Sequence, residues 1–291
     1  MSTRTAPLRP DTRAPAPTQA KRAAANVGPV YARWLGDARR ALLGWAGGIV
    51  AVCLLYLPLF PSMRDTGLLG DKLEAMPKDM LDGFGMDIAT TSTGWGYAHQ
   101  MVFGMLGLLL LLLLVLGIGQ GARMIAGDEE AGALELTLAH ATTRRAVLTA
   151  RLAALVTIVA AMTALVIVVV AALNGPSELQ LTAAGLMAEG AALGMLVLTH
   201  ALVAFAVGAV TGRRAWALAA ASIVGVLGWF AHTMGAKLAD WVPGLSPFHW
   251  AYGEVPLHTG LDAGGLAALG TACVVLVSAS YLGFARRDLR A

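Results

Sequence analysis

Residues 103–118 read FGMLGLLLLLLLVLGI, and residues 120–151 follow as QGARMIAGDEEAGALELTLAHATTRRAVLTAR. The first stretch is apolar on every face rather than along one stripe, which a water-soluble core explains poorly. The second is a polar island with four acids and four arginines. A hydrocarbon core takes about 20 apolar residues to cross. Runs of that kind occur near 41–61, 99–119, 152–173, 182–210, 215–234 and 263–284. The pattern predicts an all-α integral membrane protein of six transmembrane helices.

Composition agrees. The chain is 57% hydrophobic and 13% charged, with a mean hydropathy of +0.67, against about 25% charged in soluble domains. Lys and Arg sort by segment. Eight precede residue 41, four lie in the island, two are Arg213 and Arg214, and three are Arg286, Arg287 and Arg290. With six spans all of these share one side, while Arg64, Lys72, Lys78 and Lys237 fall on the other. The positive-inside rule then puts both termini in the cytoplasm of a multi-pass protein of the cell's inner (plasma) membrane. The net charge of +3 describes topology and gives no reason to expect nucleic acid as a partner. Cys53 and Cys273 each lie within an apolar run and offer neither a disulfide framework nor a metal spacing.

Residues 1–29 are rich in Pro, Ala, Thr and Arg without apolar periodicity and read as a disordered tail. A signal peptide would need its apolar region to begin after forty residues, and the run there is long enough to stay in the bilayer. The basic, acid-poor tail also has the character of an organelle transit peptide, against which its prolines count. Over residues 30–40 a helix gathers Val30, Tyr31, Trp34, Leu35 and Ala38 on one side. This segment reads either as an interfacial helix with Trp34 at headgroup level or as a basic flank to the first span. Residues 41–291 then form the six-helix domain.

The segment 62–98 holds two weakly amphipathic pieces broken at Pro77 and should cap the outer mouth of the bundle or touch a partner copy. Its Met63, Met76, Met80 and Met86 are soft donors of the kind that suits Cu(I), yet interleaved Leu and Phe point to packing. The last outer segment, 235–262, contains Trp241, Trp250, Tyr252 and the sequence LSPFHWAYG, an aromatic-rich stretch of the type that anchors at the lipid boundary. No internal repeat marks an inverted-repeat transporter.

Within the island, Asp128, Glu129 and Glu130 sit where a helix would begin, with acids favoured in its first turn. Ala131, Leu134 and Leu138 then follow i, i+3, i+7 spacing and form an apolar stripe. Thr142 or Thr143 caps the third span, and Arg144, Arg145 and Arg151 mark its cytoplasmic start. Such a stripe either fills a groove on another protein or lies on the inner membrane surface.

IAGDEEAGALELTLAHATTRRAVLTARL resembles the stretch before the third span of ABC-2 type permeases, with its pattern E-E-x-G-T-L-E-x-L-L-x-x-P-V-S-R. Glu129, Glu130, Gly132, Leu134, Glu135, Leu138 and Arg144 fall on that pattern, with Thr143 in the Ser place. Ala133, Thr137 and Ala141 depart from it. The resemblance implies that residues 128–138, with Arg144 and Arg145 beside them, are a coupling helix seated on a separate ABC ATPase subunit. It further implies a second permease copy, as a homodimer. ATP and Mg would be bound by the partner subunit and no cofactor by this chain, whose lysines never fall in GxxxxGK[ST]. The chain itself is then not an enzyme, and export is favoured over import.

Two ionisable residues, Glu189 and His200, lie inside the fourth span, where charge is costly and marks a substrate pathway or a partner. They are eleven residues apart, within about 20° of one helical face. Together they support an alternative reading, a proton- or ion-coupled secondary transporter. The other reading of Glu189 is that it reaches water near its helix end, as His99, Gln100, Gln120 and His232 do at theirs. An intramembrane protease with an EExxxR sequence is a further rival, but Leu134 stands where its arginine belongs. A passive membrane scaffold completes the set.

Overall fold

Six helices are long and apolar enough to cross a membrane: Val27–Asp65, Gly94–Glu130, Arg144–Asn174, Ala183–Thr211, Arg214–Lys237 and Ala263–Arg286. The expected runs fall on them to within one residue. The computed structural model describes residues 19–67, 73–84, 86, 88–104, 108–134, 137 and 143–286, and no strand occurs among them.

The first helix is longer than its hydropathy suggests, running unbroken from Gln19 to Tyr56 with Pro29 inside it. Helix therefore replaces the expected disorder over residues 19–29; residues 1–18 lie outside the described set. The physical reason is composition, since QAKRAAAN is made of strong helix formers even though it lacks an apolar stripe. Residues 30–40 are part of the same rod, and the Tyr31 hydroxyl meets Thr157 Oγ1 of the third span at 3.0 Å. The rod thus lies on protein and is not a separate helix on lipid.

The fourth span is the axis of the bundle, touching the second, third, fifth and sixth. Close approach needs bare backbone at one point. A Cβ added at Gly121 would stand 2.2 Å from the Ala201 carbonyl oxygen. The second and fourth spans therefore meet backbone to backbone, the geometry that small residues permit in membranes. Gly190 and Gly194, by contrast, face the side chains of Ile167 and Thr163 on the third span. Apolar side chains on the outward faces of the first, fifth and sixth spans, such as Leu55, Phe230 and Val275, are exposed, as suits contact with lipid.

The second span is not one continuous α-helix. Its pieces are Gly94–Ala98, a π-helical turn His99–Phe103 ending at extended Gly104, then Leu108–Ala122 and a second π-helical turn Arg123–Gly127. Both π turns lie next to the polar sites described below.

The last connection folds back into the bundle. Ser246 caps the short helix Pro247–Tyr252, accepting from the Phe248 and His249 N–H groups while its own hydroxyl donates to the Gly228 carbonyl at 2.6 Å. Phe248 then packs 5.3 Å from the His200 ring, and His200 lies about 25 Å of helix rise from the start of its span. This hairpin, residues 243–260, is therefore re-entrant, and its prolines stand at helix starts where their missing N–H is harmless.

Gly121→Ala is expected to destabilise the protein by about 1–3 kcal/mol through overpacking. Gly119→Ala, with nothing within 4 Å of the added carbon, should be neutral or stabilising. Thermal unfolding of both variants in the same detergent checks this.

Candidate coupling site and intramembrane charges

The polar island begins as the end of the second span and not as a new helix. Helix runs through Asp128–Glu130 and stops at Gly132, which takes a left-handed φ of +70°. The three acids therefore sit at a helix C-terminus, where the macrodipole disfavours them, so other elements have to compensate them.

Two compensations are visible. Arg151, two turns into the third span and 3% exposed, places Nη2 2.9 Å from Asp128 Oδ2 and donates from Nη1 to the Met124 carbonyl. Its guanidinium also lies 5.6 Å from the Trp34 ring centre, with Arg123 at 5.3 Å from the same ring, both within cation–π range. Glu130 Oε1 accepts the Arg214 N–H at 2.8 Å. Arg213, the residue before the fifth span, offers no capping side chain, so Glu130 supplies the acceptor that this helix start requires. The turn 128–130 is thereby fastened to the third and fifth spans, with Trp34 of the first helix stacked on Arg151 beside it.

The other expected residues distribute as follows. Leu134 is fully buried in the chain's own core, whereas Ala131 of the same stripe is exposed. Glu130, Gly132, Arg144 and Arg145 are exposed, and Glu129 is half-buried. Glu135 and Leu138 lie outside the described residues. Thr143 caps the third span as expected, accepting the Ala146 N–H at 3.2 Å. Arg151 and Trp34 are site residues that sequence reasoning misplaced as boundary markers. The signal for Arg151 was its depth, a turn and a half past Arg145 among apolar residues, where a guanidinium needs a carboxylate.

At the opposite end of the bundle Glu189 does not reach water. It is fully buried, with Oε1 2.8 Å from His99 Nδ1 and Oε2 accepting the Leu257 N–H at 3.1 Å. The reason is the re-entrant hairpin, which covers the first turns of the fourth span. His99 is likewise buried instead of solvated, and the Tyr252 ring meets it edge-on at 5.3 Å. His200 is also fully buried, but its Nδ1–H donates to Leu196 within the same helix at 2.9 Å. Although they share a face, Glu189 and His200 have separate partners and do not form one relay. Among the described residues, no three His, Cys, Asp or Glu side chains are placed to hold a metal ion. Met86 is buried, Met80 is exposed and Met63 receives the Tyr97 hydroxyl.

With the architecture and the 128–130 fastening in view, the family follows. Residues 30–289 match the family described as ABC-2 family transporter protein, and the chain belongs to that family. It is a membrane permease subunit of an ABC transporter. A comparison with curated proteins gives no match.

Removing one partner of a buried ion pair strands the other's charge, at a cost of about 3–5 kcal/mol, whereas replacing both with apolar side chains is often neutral. Asp128→Leu alone and Arg151→Met alone should each be strongly destabilised, and the double variant should recover most of the loss. Denaturant unfolding of the three variants measures the coupling.

Proposed function

We propose that this chain is an exporting permease subunit that takes its power from a separate ATPase seated on residues 120–151, with a second copy of itself completing the transporter. One observation supports the coupling reading above all others. The turn 128–130 is continuous with the second span, ion-paired to the third through Arg151 and hydrogen-bonded to the fifth through the Arg214 N–H. A push on this turn moves three spans at once.

Exposed Glu130, Arg144 and Arg145 supply the charges a partner would read, and buried Leu134 supplies the internal anchor. This differs from a stripe-in-groove arrangement, since the apolar residue stiffens the segment and the charged ones make the contact. ATP and Mg belong to the partner in this reading. The end carrying Arg144, Arg145 and Arg214 is assigned to the cytoplasm by the positive-inside rule, and the membrane is read as the plasma membrane of the cell. Export is the direction assigned, because the opposite end is covered by the chain's own re-entrant hairpin and the helix Lys78–Phe84, which packs on the fifth span. The proton-coupled alternative draws no support from Glu189 and His200, whose partners are separate.

Two measurements test the proposal. Co-purified with its ATPase, the permease should raise nucleotide-dependent substrate movement in vesicles. Transport that persists without nucleotide and collapses with the proton gradient would sink the coupling. Arg145→Glu should reduce ATPase co-purification about tenfold, a change of about 1.4 kcal/mol, with the melting temperature of the permease itself unchanged.

A further inference from the structure

Two imidazoles from separate elements meet at the end of the bundle away from Arg151. His232 lies in the last turn of the fifth span, and His249 lies in the short helix Pro247–Tyr252 of the hairpin. Their ring centres are 5.9 Å apart, with the planes tilted by 49°. His232 Nδ1 is buried without a hydrogen-bond partner, and among the described residues the His249 ring has none either. Buried side-chain nitrogens are ordinarily bonded, so an unpartnered one asks for an explanation.

Both rings are held in place by their surroundings. One turn before His232, the Gly228 carbonyl accepts the Ser246 hydroxyl at 2.6 Å, and a Cβ at Gly228 would stand 3.3 Å from the Phe248 ring. The hairpin is thereby seated on the fifth span next to His249. Trp229 packs edge-on against both His232 and Phe248, at 5.8 and 5.5 Å, and its indole N–H donates to the Gly83 carbonyl at 3.3 Å. Such support is what a ligand set needs if it is to be preorganised.

The spacing fits a shared ion. An imidazole nitrogen binds zinc at about 2.0–2.1 Å and lies about 1.2 Å from its ring centre, so two rings on one ion stand about 5.2 Å apart at a tetrahedral angle and about 6.4 Å apart when opposed. The observed 5.9 Å falls between these limits. Imidazole suits zinc, copper and nickel, and the last turn of a helix, where His232 stands, favours positive charge.

We propose that His232 and His249 are two ligands of a binding site for a transition-metal dication of the Zn²⁺ class, at the end of the bundle opposite the coupling segment. No third His, Cys, Asp or Glu among the described residues completes the set, so the remaining positions belong to water and the ion is exchangeable. The half-buried His249 gives access from solution. Once bound, the ion ties the fifth span to the hairpin through side chains, in addition to the Ser246 bond.

The test uses the full-length protein in detergent, purified without a polyhistidine tag and stripped of metal with EDTA, with Zn²⁺ as the probe. Calorimetric titration should give one site per chain. Loss of a group that merely orients a ligating histidine costs about 10–100-fold in affinity, so His232→Ala and His249→Ala should each cost about a hundredfold. His258→Ala removes an exposed hairpin histidine outside the pair and should leave the affinity unchanged. Ni²⁺, which quenches nearby indoles, should dim the parent more than Trp229→Phe. Where an alanine variant fails to fold, His232→Gln or His249→Gln carries the same titration. Absence of one-to-one binding in the parent overturns the proposal. So does binding that survives either histidine substitution, which would mark an adventitious ion only, or an equal loss in His258→Ala. None of these readouts involves nucleotide or a second subunit, so the site stands or falls separately from the coupling proposal.

Discussion

A guanidinium buried among apolar helices needs partners, and Arg151 collects them for its two Nη groups and its flat face from two other spans, while its Nε is left without one. Asp128 supplies charge, Met124 a carbonyl and Trp34 a ring face. The cost of leaving any buried polar group unmatched in such surroundings is several kcal/mol. That cost forces the end of the second span into one position against the third, and the first helix into register beside both. Glu130 extends the same logic to the fifth span by capping a helix that has no cap of its own.

The same rule operates at the other end. Glu189 satisfies both oxygens, one with a backbone N–H of the hairpin and the other with the His99 ring at the start of a π-helical turn. Both ends of the molecule are thus organised by a buried charge. Between them the backbone contact at Gly121 and Ala201 ties the second and fourth spans together.

The six spans and their order were legible because hydropathy over about 20 residues needs no tertiary information. The Thr143 cap was legible because a helix start leaves its mark in adjacent residues. What could not be read depended on distant partners. Leu134 has the spacing of a stripe whichever body covers it, so inward and outward burial look alike in sequence. Glu189 and His99 are ninety residues apart, and nothing local announces their meeting. The extended conformation of Gly104 is hidden for another reason: hydropathy does not register backbone conformation. The early start of the first helix at Gln19 was missed because propensity, not periodicity, carries it.

That first helix has a consequence beyond the bilayer. At 38 residues it extends about 57 Å, whereas its apolar run begins near residue 41 and a hydrocarbon slab is about 30 Å thick. Its polar first half therefore stands clear of the acyl chains, and Trp34 and Tyr31 brace that half against the second and third spans.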